Sequence, residues 1–219
     1  MNFSDSPALV LGMVVGIALV PYLAVMVTAF AKLVIVFSLL RNALGLQQTP
    51  PNLVINGLAL ILSVYVFYPV GLQMSDLAEK AMAGKPKMTE VSQFVKVANE
   101  AKGPLIDFMI KHSTEGERAF FKRTAQKLLP PEKRDLIGDR DLMIVVPAFT
   151  VAELSHAFEI GFLMYLPFLV IDLVVSNILL GMGMMMLSPT TVSLPFKLLL
   201  FVLLDGWSKL IHGLIETYV

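Results

Sequence analysis

Long apolar runs at both ends of the chain flank a polar middle, and this pattern predicts an all-α membrane protein. The pattern divides the chain into an N-terminal hydrophobic helical half, 1–75, a soluble helical insert, 76–141, and a C-terminal hydrophobic helical half, 142–219. Within the first half, residues 53–75 carry no charge. They have about the length that crosses a bilayer core of roughly 30 Å.

The first apolar run, 8–40, is longer than a single span requires. At 1.5 Å per residue, a helix of this length would measure about 50 Å. We therefore expect either a helix that is kinked at Pro21 and projects past the membrane, or two helices. Arg41 ends the run, and as the only charge of the loop at 41–52 it favours the cytoplasmic side. Asn52 is expected to cap the helix that follows.

The insert contains most of the charge, with 13 of the 17 Lys and Arg residues and 11 of the 17 Asp and Glu residues. Charges of both signs alternate, as is typical of a solvated helical surface. Apolar residues at helical spacing predict helices at 91–101 and 105–110. A capping box formed by Thr114 and Glu117 predicts a third helix, which ends near Leu129.

The composition supports a membrane protein and excludes several other classes. Only 16% of the 219 residues are charged, against about 25% in soluble domains, and the mean hydropathy is +0.75. A net charge of zero excludes a globally basic nucleic-acid binder. The absence of cysteine excludes a disulfide framework and a thiolate metal site. No nucleotide-binding or hydrolase motif occurs, so we predict no enzyme, no catalytic residue and no cofactor.

Three ionisable residues lie close together in the second apolar half. Glu153, His156 and Glu159 follow one another at intervals of three, which places neighbouring members on one helical face. A Glu-x-x-His pair binds metal in helical bundles when a second such pair faces it. This chain has no second pair, so we predict no metal and expect these groups to face other subunits or water. Glu153 and Glu159, together with Arg41, are candidates for a role in assembly or in a pore.

The stretch from Leu166 to Trp207 has two apolar arms, each with one charge deep inside it, Asp172 and Lys197. The midpoint between the two charges falls at Met184–Met185. If the chain doubles back there, the acid and the base reach a similar depth and can pair. A lone charge in an apolar segment costs roughly 2.5–3.5 kcal/mol on insertion scales, so partners are expected.

A cluster of methionines lies at the tip of this stretch. Met182 and Met184–Met186 follow Gly181 and precede Ser188-Pro189. Methionine has three flexible torsions and a polarizable thioether, so it packs against irregular partners. Several copies of such a loop around an axis would form an apolar, deformable constriction. The alternative is that these methionines only fill the core of the protein.

Four segments of the chain resemble the export-gate protein of type III secretion systems and bacterial flagella (the SctR/FliP family). The similar segments are Phe30–Gly45, Gln47–Asn52, Val146–Gly161 and Phe168–Trp207. They cover both hydrophobic halves nearly end to end. The N-terminus, which does not read as a cleaved signal, is more similar to the injectisome branch than to the flagellar one.

The resemblance implies a non-enzymatic pore. About five copies would assemble with two smaller export-gate membrane proteins into a helical cone, next to inner rod and needle components. Unfolded polypeptide substrates would leave the cytoplasm through it. The assembled complex would lie in the bacterial inner membrane, with the insert and much of its mass on the periplasmic side. The positive-inside count points the other way, but long domains translocate largely regardless of charge.

The resemblance also implies roles for individual residues. Met184, Met185 and Met186 correspond to a gasket that seals the closed pore. Asp172 and Lys197 correspond to a charged pair that links neighbouring subunits.

Glu153 corresponds to a position involved in assembly.

Two other classes of protein remain open from the residues alone. A small-solute or ion transporter could use Glu153, His156, Glu159 and Asp172 as a relay. A purely structural scaffold would have a freely replaceable methionine loop.

Overall fold

The computed structural model describes residues 7–82 and 97–219, and every regular element in these ranges is helical. The helices are α1 (Pro7–Val27), α2 (Phe30–Ala43), α3 (Asn52–Met82), α4 (Gly103–Lys111), α5 (Glu115–Leu128), a 3₁₀ helix (Pro131–Leu136), α6 (Leu142–Gly181), α7 (Pro189–Leu203) and α8 (Gly206–Glu216). The all-α prediction is therefore confirmed.

The first apolar run forms two helices, which decides between the two alternatives that the sequence left open. Pro21 lies inside α1, and the break comes at Thr28 and Ala29. The Thr28 hydroxyl donates a hydrogen bond to the carbonyl of Ala24 (2.8 Å). This bond satisfies one of the carbonyls that lose their partners where a helix ends.

The prediction that Asn52 caps α3 is wrong by one residue. The carbonyl of Pro51 accepts hydrogen bonds from the backbone N–H groups of Val54 and Ile55 (3.0 and 3.2 Å). Accepting the first intrahelical bond is the property of the N-cap residue, so Pro51 holds that position. The Asn52 side chain instead accepts a hydrogen bond from Arg41 Nη1 (2.6 Å).

The helices predicted in the insert are present where the structure describes it. The stretch at 105–110 lies inside α4, and Thr114 Oγ1 accepts a hydrogen bond from the Glu117 N–H (3.3 Å) at the start of α5. That helix ends at Leu128, one residue before the predicted end. Of the helix predicted at 91–101, residues 97–101 are helical and residues 91–96 lie outside the described residues.

Tertiary contacts divide the chain into two compact units, the first of which comprises Met1–Ala29 and Val64–Glu153. An aromatic cluster lies in its core. The ring of Phe108 packs against Phe67 on α3 and Phe149 on α6, with centroids 5.8 Å away in both cases. This packing anchors α4 of the insert to two long apolar helices.

The second unit comprises Phe30–Ser63 and Leu154–Val219. Its core contains a stripe on α2 at helical spacing, formed by the fully buried Leu33, Val36, Phe37 and Leu40. Trp207 packs its ring against Phe37 (6.2 Å between centroids) and Phe201 (5.6 Å). The division of the chain near residues 75 and 141 rests on composition alone and stays a prediction.

Two helices of the described chain, α3 and α6, are long and apolar enough to cross a membrane. The bent pair formed by α7 and α8, with an angle of 61° between them, meets the same criteria as one broken span, and so do the end of α1 and α2 taken together. These lengths and compositions fit the predicted membrane protein.

Replacing Gly161 with Ala should destabilise the second unit. A Cβ at this position would overlap Leu39 Cδ1 and would lie 3.1 Å from Leu39 Cβ, which is fixed to the backbone of α2. Overpacking of this kind costs about 1–3 kcal/mol. Thermal unfolding in detergent should show the loss. Gly57→Ala is the matched control, since a Cβ there meets no atom within 4 Å. An equal effect of both changes would contradict the close contact.

Candidate functional site

The candidate site is the hairpin formed by α6 and α7, and a glycine forms the turn at its tip. Gly183 adopts a positive φ of 72°, which a residue without a Cβ tolerates. The N–H of Met184 bonds the carbonyl of Leu179 (2.9 Å), and the N–H of Gly183 bonds that of Leu180 (3.0 Å). These two bonds define a Schellman motif, which ends α6. The chain therefore doubles back here, as predicted.

The methionines of the loop between α6 and α7 are exposed in the single chain. The exposed fraction is 45% for Met184, 78% for Met185 and 101% for Met186. They do not fill the core of the subunit, so that alternative is wrong for this chain. Their role as a gasket stays a prediction.

Asp172 and Lys197 meet within one chain. Lys197 Nζ lies 2.6 Å from Asp172 Oδ2, and the side chains are 4% and 23% exposed, respectively. The hairpin therefore brings the acid and the base together, as the spacing around the tip predicted. The proposed link between subunits stays a prediction.

Lys197 also binds the end of a third helix. Its Nζ donates a hydrogen bond to the carbonyl of Ala43 (3.1 Å), the last residue of α2. The carbonyls of Arg41 and Asn42 already accept hydrogen bonds from the N–H groups of Leu46 and Gly45, respectively. Lys197 therefore provides a donor for the Ala43 carbonyl, which has no such backbone partner in the turn. A cation at a helix C-terminus is also favoured by the helix dipole.

Ser193 completes the cluster around Asp172 and Lys197, although the residue pattern did not lead us to predict its role. It is fully buried, and its hydroxyl donates a hydrogen bond to Asp172 Oδ1 (2.5 Å). Both carboxylate oxygens of Asp172 therefore have a partner. The available signal was its position four residues before Lys197, which places both on one face of α7.

The other candidates lie in different surroundings. Arg41 Nη1 donates hydrogen bonds to Asn52 Oδ1 (2.6 Å) and to the carbonyl of Pro50 (3.3 Å), so it organises the loop between α2 and α3. Glu153 is buried, at 2% exposure, whereas Glu159 is exposed. Among the residues that the structure describes, no group of three or more acidic, His or Cys side chains could hold a metal.

A second buried lysine, Lys32, was also missed. Lys32 Nζ donates a hydrogen bond to Thr217 Oγ1 (2.9 Å) and lies 4.1 Å from the centroid of the Tyr218 ring. It therefore connects α2 to the segment that follows α8. From the sequence, Lys32 was only an interruption in an apolar run, because its partners lie 185 and 186 residues away.

Comparison with known proteins agrees with the resemblance seen in the sequence. The FliP family model matches residues 13–214. The chain belongs to the FliP family. The hairpin, both buried lysines and the methionine loop all lie within the matched range, which covers nearly the whole chain.

Curated relatives point to the injectisome branch of the FliP family. The chain is 52% identical over 202 residues to the Yop proteins translocation protein R of Yersinia pestis, with 92% of each chain covered. It is 48% identical over 206 residues to the hypersensitivity response secretion protein HrcR of Ralstonia nicotianae, with 94% of each covered. It is 43% identical to the virulence protein YscR of Salmonella typhimurium over the full length of both. These matches support a non-enzymatic, membrane-located component of a secretion apparatus.

Proposed function

We propose that this protein is a core subunit of the export gate of a type III secretion system. About five copies and two smaller membrane proteins form a cone-shaped pore in the bacterial inner membrane, with much of its mass on the periplasmic side. Secreted polypeptides pass through it toward the inner rod and needle. The observation that carries the proposal is an exposed methionine loop at the tip of a hairpin with a buried polar base, in a member of the FliP family.

The two parts of the hairpin have the properties that a gate needs. The Asp172 carboxylate on α6 accepts two short hydrogen bonds from α7, one from Ser193 and one from Lys197. Lys197 also donates a hydrogen bond to the carbonyl of Ala43 at the end of α2. The tip carries flexible thioether side chains, of which Met185 and Met186 are 78% and 101% exposed in the single chain. A hairpin whose two helices are fixed to each other and whose apolar tip is deformable can seal a pore and then yield to a passing chain.

Exposed apolar side chains on α7 fit assembly into a larger complex. Phe196, Leu199, Val202 and Leu203 recur at helical spacing, and each is more than half exposed. An apolar surface of this kind marks a protein or membrane contact. In the proposed gate, neighbouring subunits cover much of this surface, and lipid covers the rest.

The transporter alternative has less support. A proton or ion relay needs carboxylates that can exchange their partners, whereas both oxygens of Asp172 are held by Ser193 and Lys197. Glu159 is exposed on α6 and lies outside the polar cluster of the hairpin.

Site-specific crosslinking tests the proposed pore. A photoreactive amino acid at position 185, where the native Met185 is 78% exposed, should crosslink to a secreted polypeptide that is stalled during export. The same amino acid at position 143, where Met143 is also exposed, is the control and should give little adduct. Adducts are read on gels of the purified apparatus. If assembled complexes hold a stalled substrate and position 185 gives no more adduct than position 143, the methionine loop does not line the path.

A further inference from the structure

An open apolar groove of about 470 Å³ lies in the second unit, between α6, α7 and α8. Its walls include Met164 and Phe168 from α6, Leu200 and Phe201 from α7, and Leu210 and Leu214 from α8. Among the described residues that line it, only Lys209 and Thr217 have polar side chains. Its volume lies in the range of roughly 300–1,000 Å³ that is typical of ligand sites.

The two polar side chains of the lining differ in their partners. Thr217 Oγ1 accepts a hydrogen bond from Lys32 and donates one to the carbonyl of Leu214. Lys209 is exposed, and within the described part of the chain its ammonium group makes no ion pair. The carboxylate of Asp205, the residue before α8, accepts a hydrogen bond from the Ser208 hydroxyl (3.0 Å). A cation is therefore available at the groove.

We propose that this groove binds the acyl chain of an anionic phospholipid of the surrounding membrane, with Lys209 contacting its phosphate. A long apolar lining with one cation matches a ligand that has a hydrocarbon chain and a negative head. Anionic lipid headgroups attract basic side chains at a membrane surface. The exposed face of α8 carries Lys209, His212 and Glu216, as expected of a helix near the membrane–water boundary. This inference does not depend on the export role.

A glycine in the lining allows the groove to be filled without disturbing the fold. Gly213 lines the groove, and a Cβ built on it meets no heavy atom within 4 Å. Gly213→Leu should therefore occupy the space of the acyl chain, and it also replaces a poor helix former with a good one. Gly206, which lines the groove too, is unsuitable because its Cβ would overlap the Phe201 ring.

The test uses the full-length chain in nanodiscs that contain equal parts phosphatidylglycerol and phosphatidylcholine. Retained lipids are counted by native mass spectrometry after release from the disc. The wild-type chain should retain phosphatidylglycerol severalfold over phosphatidylcholine. Lys209→Gln should abolish this preference, and Gly213→Leu should reduce the retention of both lipids. Lys80→Gln, at an exposed lysine of α3, and Gly57→Leu, at a glycine with open space, are the matched controls.

Three outcomes would overturn the proposal. They are a wild-type chain that retains no lipid, equal retention of the two lipids, and a preference for phosphatidylglycerol that survives Lys209→Gln. Lys209 is exposed and is not part of the buried cluster of Asp172, Ser193 and Lys197, so its variant should fold even if Gly213→Leu does not. The headgroup contact therefore remains testable by that variant alone.

Discussion

Replacing Asp172 with Leu should lower the free energy of unfolding of the chain by about 3–5 kcal/mol, the cost of breaking a buried ion pair on one side. The change would leave the ammonium of Lys197, only 4% exposed, with the carbonyl of Ala43 as its remaining partner in the cluster. Thermal and urea unfolding of the detergent-solubilised chain should measure the loss.

The reverse change, Lys197→Met, should cost less. Asp172 is 23% exposed and keeps the hydrogen bond from Ser193, so its carboxylate would be only partly stranded. The double variant, with Leu at 172 and Met at 197, should recover much of the stability, because an apolar pair of similar volume often replaces a buried ion pair without loss. Lys80→Met, on the exposed surface of α3, is the control and should stay within about 0.5 kcal/mol.

A double-mutant cycle decides whether the pairing accounts for these costs. If the double variant loses as much stability as the two single variants added together, the two residues do not interact energetically. Equal costs for the two single variants would contradict the difference in burial between the acid and the base.

Co-expression of the two single variants separates a pair within a chain from a pair between subunits. Chains with Asp172→Leu keep Lys197, and chains with Lys197→Met keep Asp172. Neither chain can form the pair that the single chain contains. If the assembled gate connects neighbouring subunits through these residues, as the resemblance to the family implies, the mixture should assemble better than either variant alone. Native mass in detergent gives the answer, and a mixture that assembles no better restricts the pair to the single chain.

Asp172 and Lys197 show what the sequence could predict at this site. Their spacing around a turn signal required no tertiary information, because burying two opposite charges in an apolar hairpin leaves each in need of a partner. The glycines and Ser188-Pro189 also predicted the turn from local sequence alone, because glycine and proline favour the backbone conformations of turns. The confirmed all-α fold likewise followed from charge-free runs and helical spacing.

The partners that the sequence missed come from distant parts of the chain. The carbonyl of Ala43 lies 154 residues from Lys197, and a backbone group carries no signal in the residue pattern. Lys32 and Tyr218 are similarly remote. The prediction for Asn52 was wrong for a different reason. Its side chain could either cap the helix or accept a hydrogen bond from Arg41, and the rules for helix capping do not take Arg41 into account. Tertiary contacts decided each of these cases.

Replacing Met184, Met185 and Met186 together with Ala should leave folding and assembly intact but raise the leakage of small solutes severalfold through the closed apparatus. These side chains are exposed in the single chain, so shortening them creates no cavity in the subunit. In the proposed gate, the same change removes the apolar atoms that close the pore and keep it dewetted. Leakage is measured as dye or ion flux through cells or liposomes that contain the assembled complex.

Two further variants separate the gasket from a general effect of losing methionine. Met26, Met82 and Met143 are also exposed but lie outside the loop, and their triple replacement with Ala should leave leakage unchanged. Leu at all three loop positions keeps the apolar surface but reduces its flexibility. That variant should therefore hold the closed pore tight and slow the passage of substrate. Unchanged leakage in an assembled complex with the alanine loop would show that the methionines do not seal the pore.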